Sequence, residues 1–280
     1  MANTEESFFS NTLTNGKNIT LTPFLPEREP QTALLSEGDF SAHPWARSLA
    51  EEMLRELWKE TSFESVEVIQ SVEIQDPKVT YRLCMVTLKN LYRSVYYRVV
   101  REAGDRVISV PFHFFGQASF LSLRGDFLVV GGMGTLVLRA DTLAVVKSMP
   151  DYSSALSLDG GLVVERQGVF YALSSPLEEP EDSRVLANYP GSLFVGADEE
   201  GYFYLVLHGE IVVLERQGAS LALVFRSKVK GQVCPALGKS LGMKRLVYFQ
   251  ERNPNNHPMF YQLNLEKDMA ASSSPVLNLS

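Results

Sequence analysis

Hydrophobic residues in this chain arrive in short runs cut by glycine-bearing turns, and three stretches between Ala118 and Ser227 repeat one design. They cover 118–132, 154–168 and 192–209, each an apolar run, a glycine turn, a second apolar run and another glycine turn. The first turn glycines are Gly125, Gly160 and Gly201, and Gly242 extends the series, in steps of 35, 41 and 41 residues. Gly134, Gly168 and Gly209 mark the next turns, 9, 8 and 8 residues further on. Tight hairpin turns need positive φ at one or two positions, which glycine adopts without steric cost.

Each repeat continues with third and fourth strand-like runs: Thr135–Ala140 with Leu143–Met149, Gly168–Ser174 with Arg184–Tyr189, and Glu210–Glu215 with Leu221–Ser227. Upstream, Glu64–Ile74, Val79–Lys89, Leu91–Glu102 and Arg106–Pro111 read as one longer-stranded unit with turns at Asp76-Pro77 and Gly104-Asp105. Downstream, a less regular unit contains Lys244–Gln250 and Met259–Leu265. Five candidate units follow: 63–111, 118–149, 154–189, 192–227 and 232–280. One segment has a helical period instead. Trp45, Leu49, Met53 and Leu57 recur every fourth residue, Ala46, Ala50 and Leu54 widen the stripe, and Pro44 suits the first turn. The stripe is expected to pack on the β-core; the other expectation is that it docks a partner protein.

The chain therefore divides into an irregular N-terminal arm (1–42), an amphipathic helix (43–60), a β-domain (63–269) and a flexible serine-rich tail (270–280). The arm has one strand-like run, Asn18–Pro23, expected to complete a sheet with the other end of the chain. A period of roughly 40 residues built from four short strands resembles the broad β-propeller class of diverged WD40-like and quinoprotein-like repeats. The resemblance spans about 63–265 and rests on strand and turn spacing. It implies a mostly β fold, a small diverged propeller of about five blades, complete or not; a β-sandwich is the alternative, since its strands recur at similar spacing. The only tryptophans, Trp45 and Trp58, both lie in the helical segment, so no residue role is carried over from the class.

Composition changes this picture little. The chain has 280 residues, 45% hydrophobic and 21% charged, and all-β folds of that size run as one domain. Its net charge of −7 opposes bulk attraction to nucleic acid or anionic membrane. The start lacks the basic and apolar regions of a signal peptide, and no apolar run reaches membrane-span length, so an intracellular protein, cytoplasmic or nuclear, is expected. Cys84 and Cys234 sit in strand patterns and read as buried thiols. His43, His113, His208 and His257 occupy separate contexts without metal-ligand spacing, so neither metal nor cofactor is expected.

Charge placement is more informative. Between Glu215 and Glu251 lie seven basic residues and no acidic one, whereas 178–200 holds seven acidic residues against Arg184. The acidic, proline-bearing loop 175–183 is expected to be solvated and mobile. Along Tyr92–Arg101 arginines interleave with tyrosines; a half-buried strand with arginine stems over rings is expected ahead of a base-stacking surface.

Three functional readings result. The first is a non-catalytic protein–protein interaction module, a scaffold or adaptor subunit of a larger intracellular complex. Other protein subunits would be met through Trp45, Leu49, Met53, Leu57, Lys228, Lys230, Lys244 and Arg245. The second is a carbohydrate-active hydrolase of five-bladed type using paired carboxylates among Asp126, Asp159, Asp198 and Glu200. All four lie in or beside hairpin turns, where Asp is favoured for backbone geometry alone. The third is a nucleic-acid contact through 216–245. The tripeptide Arg124-Gly125-Asp126 falls where the repeat requires a turn.

Overall fold

A computed structural model describes residues 17–24, 34–36, 42–56, 62–89, 94–114, 118–157, 159–197, 201–228, 248–252 and 258–267. The fold is mostly β. Strand β1 (Lys17–Phe24) and β2 (Leu34–Ser36) precede helix α1 (Pro44–Glu56). Then come β3 (Ser62–Gln75), β4 (Lys78–Lys89), β5 (Ser94–Ala103) and β6 (Arg106–Pro111). The repeats supply β7 (Ala118–Arg124), β8 (Phe127–Gly132), β9 (Gly134–Arg139), β10 (Val145–Met149), then β11 (Ser153–Leu156), β12 (Leu162–Arg166), β13 (Val169–Leu173), β14 (Arg184–Asn188). The last elements are β15 (Leu193–Ala197), β16 (Tyr202–Leu207), β17 (Glu210–Gln217), β18 (Ser220–Lys228), β19 (Tyr248–Arg252) and β20 (Pro258–Lys267).

The repeats become three four-stranded antiparallel sheets in chain order: β7 to β10, β11 to β14 and β15 to β18. The longer-stranded unit is a five-stranded sheet, β2-β3-β4-β5-β6, to which the arm contributes β2. The arm's other strand, β1, pairs antiparallel with β20 in a three-stranded sheet with β19, so the two ends of the chain meet as the Asn18–Pro23 pattern suggested.

Successive sheets stack face to face. Side chains alternate along a strand, and here both faces are apolar. In β4, Cys84, Val86 and Leu88 point to α1, while Val79, Tyr81 and Leu83 point to the β7–β10 sheet. In β8, Leu128 and Val130 meet the five-stranded sheet, while Val129 meets β11–β14 through Leu162 and Val164. In β12, Val163 turns the other way, to a core with Phe194, Phe203 and Leu205 of the β15–β18 sheet. Phe170 closes that core against Phe194, ring centroids 5.4 Å apart and planes perpendicular. Serial stacking of separate blade-like sheets differs from the two-layer sandwich alternative.

Glycine matters at two close approaches. Gly168 turns at φ 87°, and a Cβ there would lie 2.0 Å from the Tyr189 carbonyl oxygen. A Cβ at Gly131 would lie 2.1 Å from the Phe120 ring and 2.2 Å from Ser154 Oγ, so its absence lets β11 approach β8. Buried hydrogen bonds also join sheets: Tyr81 Oη donates to the Ala140 carbonyl at 2.9 Å, and Thr135 Oγ1 to the Tyr152 carbonyl at 2.9 Å.

Helix α1 caps one end of this stack. Leu49 is fully buried and Leu54, on the same helix, is 45% exposed. Leu49→Ala is expected to lower unfolding free energy by about 2–5 kcal/mol through lost burial and a residual cavity. Leu54→Ala should stay within about 0.5 kcal/mol. Denaturant unfolding followed by tryptophan fluorescence checks both.

Candidate functional site

The apolar stripe of α1 is used internally. Trp45, Leu49 and Met53 are buried with Val66, Cys84 and Val86 of the five-stranded sheet, the packing expected of an amphipathic helix on a β-core. Arg82 closes over Trp45, its guanidinium 4.6 Å from the ring centroid, and pairs with Glu102 at 2.7 Å. These three residues therefore offer a partner no free face while α1 keeps its place. Leu57, Lys230, Lys244 and Arg245 lie outside the described residues, and Lys228 is described only by its backbone, paired with Glu210 at the end of β18.

One flank of α1 lines a groove of about 620 Å³. Ser48, Glu51, Glu52 and Arg55, at i, i+3, i+4 and i+7, form one wall; Val107, Ile108 and Ser109 of β6 form the other. Ser109 Oγ donates to Glu52 Oε2 at 2.7 Å, tying helix to strand. Glu51 is answered by Arg47 Nε at 2.9 Å, and Arg55 Nε donates to the Glu51 carbonyl at 3.1 Å. Among the described residues Glu52 has no cationic partner.

Among the described residues, strand β6 is an edge of its sheet. Phe112 N donates to the Tyr97 carbonyl at 2.9 Å, and the register runs unbroken from Arg98↔Pro111 to Ala103↔Arg106. In an antiparallel ladder bonded and non-bonded pairs alternate. Arg106, Ile108 and Val110 therefore carry the bonds to β5. Val107 and Ser109 turn their amides and carbonyls outward, toward the free edge beside the groove.

The turn carboxylates have structural work. Asp159 accepts from Ser157 Oγ at 2.5 Å, from Gly161 N at 3.1 Å and from Arg216 Nη1 at 3.0 Å. The Ser157 hydroxyl first, then the Gly161 amide, hold its carboxyl below the usual range. From the other side Arg124 donates to the Gly160 carbonyl, so arginines of two neighbouring sheets grip one turn. Asp126 is exposed in its hairpin turn, and Asp198 and Glu200 lie outside the described residues. Of the basic stretch, Arg216 pairs with Asp159 and Arg226 with Glu210.

The acidic loop is solvated as expected, with Ser175, Leu177, Glu179, Glu181 and Asp182 exposed, but it is also tied to its neighbours. Lys147 of β10 donates to the Glu178 carbonyl at 2.7 Å and pairs with Glu179 at 3.1 Å. Glu181 accepts from Tyr152 Oη and pairs with Arg166 at 3.4 Å, and Pro176 and Pro180 are buried. The lysine and arginine on adjoining elements offset part of the loop's charge, which sequence proximity did not reveal. On β5, Arg98 is buried while Val95 and Tyr96 are exposed, so the tyrosine–arginine alternation is half-buried as expected.

No family model matches the chain, and no curated protein matches it. Among solved structures it is similar to the crystal structure of HIRA(644-1017), at 8% identity and a TM-score of 0.27. That match covers 59% of this chain and 54% of the other, so it spans about half of that chain's length. No described helix is long and apolar enough to cross a membrane.

Two measurements follow. Glu-C protease, which cuts after glutamate, should cleave 178–181 slowly in the native chain and several-fold faster in a Lys147→Ala/Arg166→Ala variant. Asp159→Asn should cost stability at neutral pH. A lowered folded pKa contributes stability above the unfolded value and loses it as pH falls through the folded one. The gap between wild type and variant should therefore close on acidification below aspartate's ordinary range, in unfolding midpoints measured against pH.

Proposed function

We propose that this chain is a non-catalytic protein–protein interaction module, a scaffold or adaptor subunit of a larger intracellular assembly. Its β-domain (63–269) is read as about five propeller-like blades, preceded by the arm (1–42) and helix (43–60) and followed by the tail (270–280). The observation that carries the reading is the groove between α1 and β6, where a polar helix face, an uncompensated Glu52 and an open strand edge converge. An α-helix at the end of a sheet stack presents a surface that the repeating blades do not have. Lys228, Lys230, Lys244 and Arg245 offer a second, electrostatic contact that orients a partner without dominating affinity.

The test is affinity purification of the tagged full-length protein from its native cell at near-physiological salt, with mass spectrometry of what co-elutes. Stoichiometric protein partners are expected with wild type and absent from a Ser48→Arg/Glu52→Lys variant that keeps the wild-type unfolding midpoint. A solitary, monodisperse wild-type protein overturns the subunit reading. Partners retained by the groove variant but lost on Lys228→Glu/Lys230→Glu move the contact to the basic stretch.

A further inference from the structure

The open edge of β6 points to the kind of partner. We infer that the groove takes an extended, basic segment of a partner protein, which adds to β6 as a further strand and sets a lysine or arginine against Glu52. The inference rests on the interaction-module reading and specifies its site.

Three observations converge. The ladder phase set by the Phe112–Tyr97 bond leaves the backbone groups of Val107 and Ser109 outward, two residues apart on one edge, the repeat at which an added strand exchanges hydrogen bonds. Among the described residues no strand pairs with that edge. Helix α1 lies alongside it, so the space is a walled groove of about 620 Å³ rather than a bare edge, which suits a single segment. Charge then selects the segment. Arg47 already compensates Glu51, whereas Glu52, among the described residues, accepts from the Ser109 hydroxyl and meets no cation, so this carboxylate favours a cation on the incoming chain. An acidic segment meets two carboxylates, Glu51 and Glu52, against the single cation Arg55 on that wall. A helix has no free backbone donors and acceptors to offer β6.

The experiment is a phage-displayed library of linear peptides panned on the immobilised full-length chain, with the enriched peptides resynthesised and titrated by fluorescence anisotropy. Enriched sequences should alternate β-branched residues with lysine or arginine. Their affinity should fall at least ~10-fold with Glu52→Lys. It should fall comparably with Ser109→Pro, which removes an outward N–H but no bond to β5. Ser109→Ala, which removes the hydroxyl and keeps the amide, should retain most of the binding. N-methylating alternate backbone amides of the peptide asks the same question of the wild-type chain should Ser109→Pro perturb folding, and one of the two methylation phases should abolish binding.

No enrichment, enrichment of acidic or helix-patterned peptides, or affinity indifferent to both Ser109→Pro and N-methylation overturns the inference. The two proposals fail separately. Native partners lost on Ser48→Arg/Glu52→Lys, with no extended-peptide signature in the library, leave the interaction module standing and remove strand addition. A wild-type protein without partners removes the module itself.

Discussion

A β-sheet that is apolar on both faces cannot end in water, and this constraint shapes the whole chain. Strands β4, β8 and β12 each send alternate residues into two different cores. Burying one face against a neighbour leaves the other still to be covered, and at about 25 cal/mol per Å² of apolar area an exposed blade face is a large penalty. Each sheet therefore requires the next. The ~40-residue repeat is the covalent expression of that requirement: one sheet per repeat, set against the sheet before it.

Such a stack has ends, and one of them is met by α1. The helix applies Trp45, Leu49 and Met53 to the five-stranded sheet on the face turned away from the β7–β10 sheet. A sheet in that place would present another two-faced surface; an amphipathic helix stops the series because its far side is polar. The same substitution creates the groove. A helix laid near an edge strand leaves Ser48, Glu51, Glu52 and Arg55 facing Val107 and Ser109, with the Ser109–Glu52 hydrogen bond joining the walls. Capping the core and forming the candidate site are thus two consequences of one packing event.

Polar contacts between sheets act with the apolar ones, giving the stack a register. Arg124 and Arg216 converge on the turn 157–161 from the sheets on either side. Lys147 and Arg166 hold the acidic loop through Glu179 and Glu181. Exposed ion pairs contribute little each; here several span different sheets, so their main effect is geometric. They also absorb charges that in the linear sequence read as free acidic and basic surfaces.

The strands, their turns and the helix were written in the sequence, because local patterns decide them. Short apolar runs, turn glycines at Gly125, Gly160 and Gly201 and the four-residue rhythm of Trp45, Leu49 and Met53 each depend on near neighbours only. The sequence also carried the four-strand grouping, since meandering hairpins pair strands in chain order. What lies across elements was decided in three dimensions. Ser48, Glu51, Glu52 and Arg55 read as any wet helix face until α1 docked beside β6, and the outward phase of Val107 and Ser109 follows from a hydrogen bond to β5. The fate of 175–183 likewise depended on Lys147 and Arg166, residues on other strands. Strand formation is set by short-range sterics and patterning, whereas a groove, a neutralised charge or an open edge is a relation between segments that only packing brings together.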